Sequence, residues 1–394
     1  MERKEKPKNY LEKQEKINIP EFINLTCSEA EEGAKLKKQI SEIDDLSYVS
    51  KEILESATFD TTFHWPKKLP EGFDPEKLME ERKNPGLGIR KLHEEGITGK
   101  GVIVGLIDQR ISTSHSEFRN NIISNKEYYE PETLKDDTEV SMHGLGVTSL
   151  LVGKNCGVAP DANVVYGAIN AETDGFLGYI RALKDIIEYN KNNEQKIKIV
   201  SVSKGFSKNI PGVNEWLELK NDAKKLGITV IDSDYFAENS ITGGGSKINK
   251  DQFDDYELPL FYEDSQKKTP SLRDVESKVS LMSEDFQKKF FDQYKTYQNY
   301  IDTFNNNYLI VPCDYRAMAS KEGNNEYRCD AKGGWSWAIP YFAGVFALAL
   351  QINPDLKNEE FLGIVRKIAG KNKDGVKVIN PIGIIDAIQK DLTE

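Results

Sequence analysis

The chain has 394 residues, of which 30% are charged, and a formal net charge of −11. That balance excludes nucleic-acid binding through a dominant basic face, while the length is enough to bury a large core and to carry an extension beside it. The N-terminus, MERKEKPKNYLEKQEK, is charged and has no apolar segment, and no run of about 18 apolar residues occurs. No export signal and no membrane span are therefore expected, the Ala343–Leu350 run being far too short, and the expected location is the cytoplasm.

In chain order, residues 1–85 read as a charged, Lys- and Glu-rich extension with helices expected over Ser28–Lys38 and Asp44–Ser56. Pro66, Pro70, Pro75 and Pro85 break the chain between these helices and the main body. Phe63, His64 and Trp65 are the expected anchors of this extension on the main body. Residues 86–394 then alternate strands and helices. Gly99–Arg110 (GKGVIVGLIDQR) is a β-branched apolar run with Asp108 near its end, which predicts a buried parallel strand. His143–Gly153 (HGLGVTSLLVG) predicts a small-residue helix with a histidine at its head. Strands are expected at Asn163–Ile169, Lys198–Val202 and Ile228–Ile231, and helices at Phe176–Tyr189, Glu215–Leu226 and Phe361–Ala369. The alternation predicts an α/β fold, a mostly parallel sheet with helices on both faces.

Near the C-terminus, GGWSWAIPYFAGVFALALQINPDL places Ser336 just after two glycines and ahead of an apolar helix expected after Pro340. A helix start offers free N–H groups and the positive dipole end, which favour developing negative charge. The chain holds four histidines, His64, His93, His115 and His143, and only His143 opens a small-residue helix. A serine hydroxyl needs a base to take its proton, and a histidine needs a carboxylate to hold its tautomer. Asp108, His143 and Ser336 are the residue types for that chemistry.

The order Asp, His, Ser and the blocks around these residues resemble the subtilisin-like serine proteases, the subtilases. Thr98–Phe118, His143–Gly153 with Gly157–Val164, and Gly333–Gly344 resemble the family's Asp, His and Ser blocks, across about Gly86 to Glu394. Ile199–Phe206 resembles the strand whose Ser-x-Gly forms one wall of the substrate cleft, which implies substrate-binding roles for Ser203, Lys204 and Gly205. Asp174–Phe176 resembles the cleft edge, and Ile310–Tyr315 the Ala-Pro-Gly turn upstream of the Ser. The resemblance implies a subtilisin-like fold with an N-terminal extension, in the position of a pro-region, and a large insertion at about 239–306. It implies a serine endopeptidase working through an acyl-enzyme, with a peptide or protein as partner.

The departures from the family pattern point to slow, substrate-restricted hydrolysis. Gln109 and Arg110 follow the Asp where Thr-Gly is usual, and Gly146 replaces a second histidine. An ungapped reading puts Phe236 where the oxyanion-hole Asn belongs, leaving Asn239 or Asp234 as the expected replacement donor. The alternatives are a pseudoprotease that binds a peptide or another protease, and a maturation protease with one partner. Lys204 and Arg110 predict a preference for acidic or phosphorylated residues near the cut site. Cys27, Cys156, Cys313 and Cys329 match no zinc pattern and read as packing residues. Neither a metal nor another cofactor is expected, and GGGSK (Gly243–Lys247) lacks the spacing of a phosphate loop. The stretch SEDFQKKFFDQYKTYQNYIDTF in the insertion predicts an amphipathic helix, as a lid or as a surface subdomain.

Overall fold

The computed structural model describes residues 44–129, 140–170, 176–204, 211–257, 287–288, 291–292, 295–296, 299 and 308–393. The elements begin with α1 (Lys51–Glu55), β1 (Phe59–Asp60), α2 (Pro75–Lys83), α3 (Ile89–Glu94), β2 (Ile103–Gln109) and β3 (Ile122–Glu127). Next come α4 (Met142–Val152), β4 (Asn163–Ile169), α5 (Leu177–Asn192), β5 (Ile199–Ser201), α6 (Val213–Lys225) and β6 (Thr229–Ile231). They continue with α7 (Ser233–Glu238), β7 (Ile241–Gly244), β8 (Leu309–Pro312), β9 (Arg316–Ala319) and β10 (Tyr327–Asp330). The chain ends with α8 (Trp335–Ile352), α9 (Asn358–Ile368), β11 (Gly370–Lys371), β12 (Lys377–Val378) and α10 (Pro381–Asp391).

The central sheet has the order β3-β4-β2-β5-β6, with every pair parallel. The chain starts in the middle at β2, builds β3 and β4 on one side, then crosses to β5 and β6 on the other. The reversal of direction lies between β2 and β5, and in open α/β sheets ligands bind outside the carboxyl ends at such a point. A second sheet of order β11-β12-β8-β7 is also mostly parallel, and a small antiparallel sheet runs β1-β10-β9.

The pleat of β2 explains the layers. Val104 and Leu106 enter one core with α4 and α8, while Ile103 and Ile107 enter another with α5 and α6. Both faces are thus covered by helices, and β2 is buried from Ile103 to Asp108. Helix α8 runs through the first core, with Trp337 to Leu350 all buried. It begins at Trp335, before Pro340 rather than after it, and so is longer than the apolar run alone. It is long and apolar enough to cross a membrane by composition, yet most of its surface is buried against the rest of the fold.

The segment ahead of the sheet is less helical than its composition predicts. Only Lys51–Glu55 forms a helix within the expected Asp44–Ser56 span, because Ser50 caps it through Ile53 N and Asp45 ties Ser47 into a turn. Phe63, Trp65 and Phe73 pack edge to face, while His64 is exposed and anchors nothing. Their cluster includes Ala317 and Cys329 of the small sheet, which β1 completes. The helix expected over Ser28–Lys38 lies outside the described residues, as does most of the amphipathic stretch within 239–306. Near the start of that insertion, Ile241–Gly244 is a buried strand of the second sheet, so the chain departs from the sheet only beyond it. A Cβ on Gly243 would stand 2.5 Å from Cys313 Sγ, which explains the glycine there by strand contact. Cys156, Cys313 and Cys329 are buried free thiols; Cys27 lies outside the described residues.

Candidate functional site

Asp108 is the sixth residue of β2 and is buried, 3% exposed. The chain re-enters at Ser141, whose N–H donates to Arg110 O at 2.9 Å. Ser141 then caps α4, its Oγ accepting from His143 N at 3.1 Å and Gly144 N at 3.4 Å while it bonds Gln109 Oε1. Tyr166 of β4 donates its hydroxyl to Gln109 O. The helix start is therefore fastened to the end of β2, and it fits because Gly144 has no side chain: a Cβ there would lie 2.3 Å from Gln109 O.

This docking brings His143 Nδ1 to 2.7 Å from Asp108 Oδ1. A carboxylate only accepts, so Nδ1 carries the proton and Nε2 keeps its lone pair. Burial is the largest single influence on His143 and pushes its pKa down. The charge and hydrogen bond of Asp108 outweigh it, so the net shift is upward from the ordinary value, against a smaller downward push from Lys204.

Ser336 sits in the first turn of α8, after Gly334 in an extended conformation without a side-chain cap. The first N–H groups of a helix have no intrahelical partner, which leaves donors beside the hydroxyl. Pro340, four residues on, has no N–H, so the Ser336 carbonyl has no helical donor. Ser203, just past β5, supplies one: its Oγ donates to Ser336 O at 2.9 Å. The expected cleft-wall serine thus holds the expected nucleophile's backbone. Trp337 lays its ring 5.3 Å from the His143 ring, and its six-membered ring fills the notch over Gly146, where a Cβ would stand 3.0 Å away. The second histidine of the family pattern is replaced by a glycine–tryptophan fit, a signal that the sequence held only in two separate places. Among the described residues no hydrogen bond joins Ser336 Oγ to His143.

Other expectations are corrected. Asn239 Nδ2 donates one of its two N–H groups to Tyr235 O at 2.9 Å, which holds the side chain at the end of α7, and its own carbonyl accepts from Arg366 at 3.1 Å. Asp234 stands 3.9 Å from Lys220. Phe236 is buried, 6.2 Å from the Trp335 ring and 5.8 Å from that of Phe342, so an apolar contact fills the aligned position. Arg110 pairs with Glu127 at 3.3 Å, leaving Lys204 as the cation acting on His143. Lys204 has no ion-pair partner among the described residues. Gly205, Asp174 and Gly175 lie outside them. Among the described residues, no group of three or more metal-ligating side chains occurs.

Residues 99–234 match the model of the Subtilase family, a stretch that holds Asp108, His143 and Ser203. The chain is 28% identical over 167 residues to the major intracellular serine protease of Bacillus subtilis (strain 168), covering 40% of this chain and 50% of that protein. The chain thus spans about half the length of the curated relative it matches. Among solved structures it is similar to one from the subtilase cytotoxin SubAB assembly (15% identity, 78% of this chain, 96% of that one, TM-score 0.48). It is similar also to the PatG macrocyclase in complex with peptide (14% identity, 76% and 95%, TM-score 0.49). The family match falls on the Asp and His blocks, and those blocks lie on a parallel sheet covered by helices on both faces, so residues 99–234 of this chain are similar to the subtilase family.

Proposed function

We propose that this protein is a serine endopeptidase that works inside the cell on peptides or proteins, slowly and on a restricted set of substrates. The observation that carries the reading is the 2.7 Å Asp108–His143 bond at the carboxyl end of β2, with the head of α8 packed beside it. In the proposed cycle Ser336 Oγ attacks the scissile carbonyl while His143 Nε2 takes its proton. Asp108 holds the Nδ1–H and stabilises the imidazolium. His143 then protonates the leaving amine, and water, deprotonated by the same nitrogen, releases the acyl group. Substrate closure is expected to tighten the Ser336–His143 contact, since such bonds are often loose without substrate.

The oxyanion has the Ser336 N–H and no aligned Asn. Losing one donor costs roughly a hundred- to a thousand-fold, against about a million-fold from a triad, so slow turnover remains. Phe236 in that place supports the second reading, a pseudoprotease that binds a peptide without cutting it. The name of the Bacillus relative supports the intracellular setting. A fluorophosphonate probe tests the proposal: labelling of the wild type that Ser336→Ala abolishes supports catalysis, and no labelling with no peptide cleavage supports the pseudoprotease.

A further inference from the structure

Away from this site, three cationic side chains from three distant segments meet inside the protein. Arg82 of α2 is 4% exposed and Arg316 of β9 is 1% exposed. Lys250, beyond β7, is half-buried and sends Nζ to Arg82 O and Asn84 O, both at 3.1 Å. The Arg82 guanidinium lies 4.3 Å from the Tyr315 ring, next in sequence to Arg316. Burial first, then the charges of Arg316 and Arg82, press the Lys250 pKa well below its ordinary value, as expected of neighbouring buried cations.

None of the three has a salt bridge among the described residues. Arg82 Nη2 donates to Glu55 O and Arg316 Nη2 to Cys156 O, both at 3.0 Å. Arg82 Nη1, Arg316 Nε and Arg316 Nη1 are buried and have no hydrogen-bond partner among the described residues. Glu55 and Glu81 act favourably on Arg82 through their charge, but neither forms an ion pair with it among the described residues. Asp251 is bonded to Gly88 N at 2.7 Å and Asn84 Nδ2 at 3.0 Å. Cys156 and Cys329, which flank the cations, are pushed up by burial, Cys329 to about 11, so both are neutral thiols. Buried charges are ordinarily paired, and guanidinium groups offer a planar fork to anions.

We propose that Arg82, Lys250 and Arg316 form a buried binding site for a small inorganic anion, a halide or a tetrahedral oxyanion such as sulfate or phosphate. The bound anion accepts from the three free guanidinium N–H groups and joins the segment ahead of the sheet, the start of the insertion and β9 into one unit. It acts on stability, independently of the peptidase reading.

The test is thermal unfolding of the purified full chain at constant ionic strength, with chloride, sulfate or phosphate replacing gluconate, a bulky organic anion. The expected result is a saturating rise in Tm with at least one small anion, chloride alone marking a halide site and sulfate or phosphate an oxyanion site. Arg316→Met and Lys250→Met should remove the rise, the latter remaining informative if the former does not fold. Crystals grown with the stabilising anion should show it against Arg316 Nη1. A Tm that follows ionic strength whatever the anion, variants that keep the wild-type rise, or an anion bound only elsewhere would each overturn the proposal.

Discussion

Gly144 is the point where the candidate site and the packing depend on one atom. In Gly144→Ala the new Cβ would meet Gln109 O at 2.3 Å, Tyr166 Oη at 2.9 Å and Ile111 Cγ2 at 3.0 Å. Ordinary contact begins at 3.4 Å, so the start of α4 must retreat from the end of β2 by about 3.4 − 2.3 = 1.1 Å. The obstacle is a backbone carbonyl, which cannot swing aside. His143 and Asp108 sit on the two surfaces being parted, so their 2.7 Å bond stretches beyond hydrogen-bond range. Alanine gains about 1 kcal/mol of helix propensity, while overpacking costs about 1–3 kcal/mol, so a net loss of stability is expected. A 1 Å misplacement of a catalytic group costs about a hundred-fold in rate. The assay is kcat/KM against a cleavable peptide as a function of pH, beside urea unfolding. Turnover should fall about a hundred-fold, and the acid limb should move to lower pH because Asp108 no longer raises the His143 pKa. Wild-type turnover with an unmoved acid limb would refute the argument.

Asp108→Asn should lower the His143 pKa. In the wild type that pKa is raised above the ordinary 6.5, so the pair's stabilisation is full below that value and lost as pH rises through the raised one. The wild-type advantage in unfolding free energy should therefore shrink from pH 5 to pH 9, and an advantage that grows with pH would contradict the assignment. Lys204→Ala removes a downward push on His143, so the acid limb of the pH–rate profile should move to higher pH. Ser203→Ala leaves the Ser336 carbonyl without its 2.9 Å donor and should cost about 1 kcal/mol in urea unfolding, with slower probe labelling of Ser336. Asn239→Ala should leave kcat unchanged, since its amide is bonded within α7; a fall in kcat at constant KM would restore it as an oxyanion donor.

The juxtaposition of Asp108 and His143 in the candidate site was legible in the sequence because its signals are local. A β-branched run ending in Asp108, a small-residue helix opened by His143 and a double glycine before Ser336 each sit within about a dozen residues. The burial of β2 and α8 follows from their near-continuous apolar runs, and the alternation of elements decides that helices cover both faces of a parallel sheet. What the sequence could not decide are the pairings between distant residues. Ser203 reaches Ser336 O across 133 positions only because Pro340 leaves that carbonyl without a helical donor. Trp337 fits the notch of Gly146, Glu127 takes up Arg110, and Tyr235 O occupies Asn239. The meeting of Arg82, Lys250 and Arg316 is of the same kind. Composition and periodicity record which face of an element turns inward, but the partner it finds there depends on how the other elements pack, and that is decided only when the chain closes on itself.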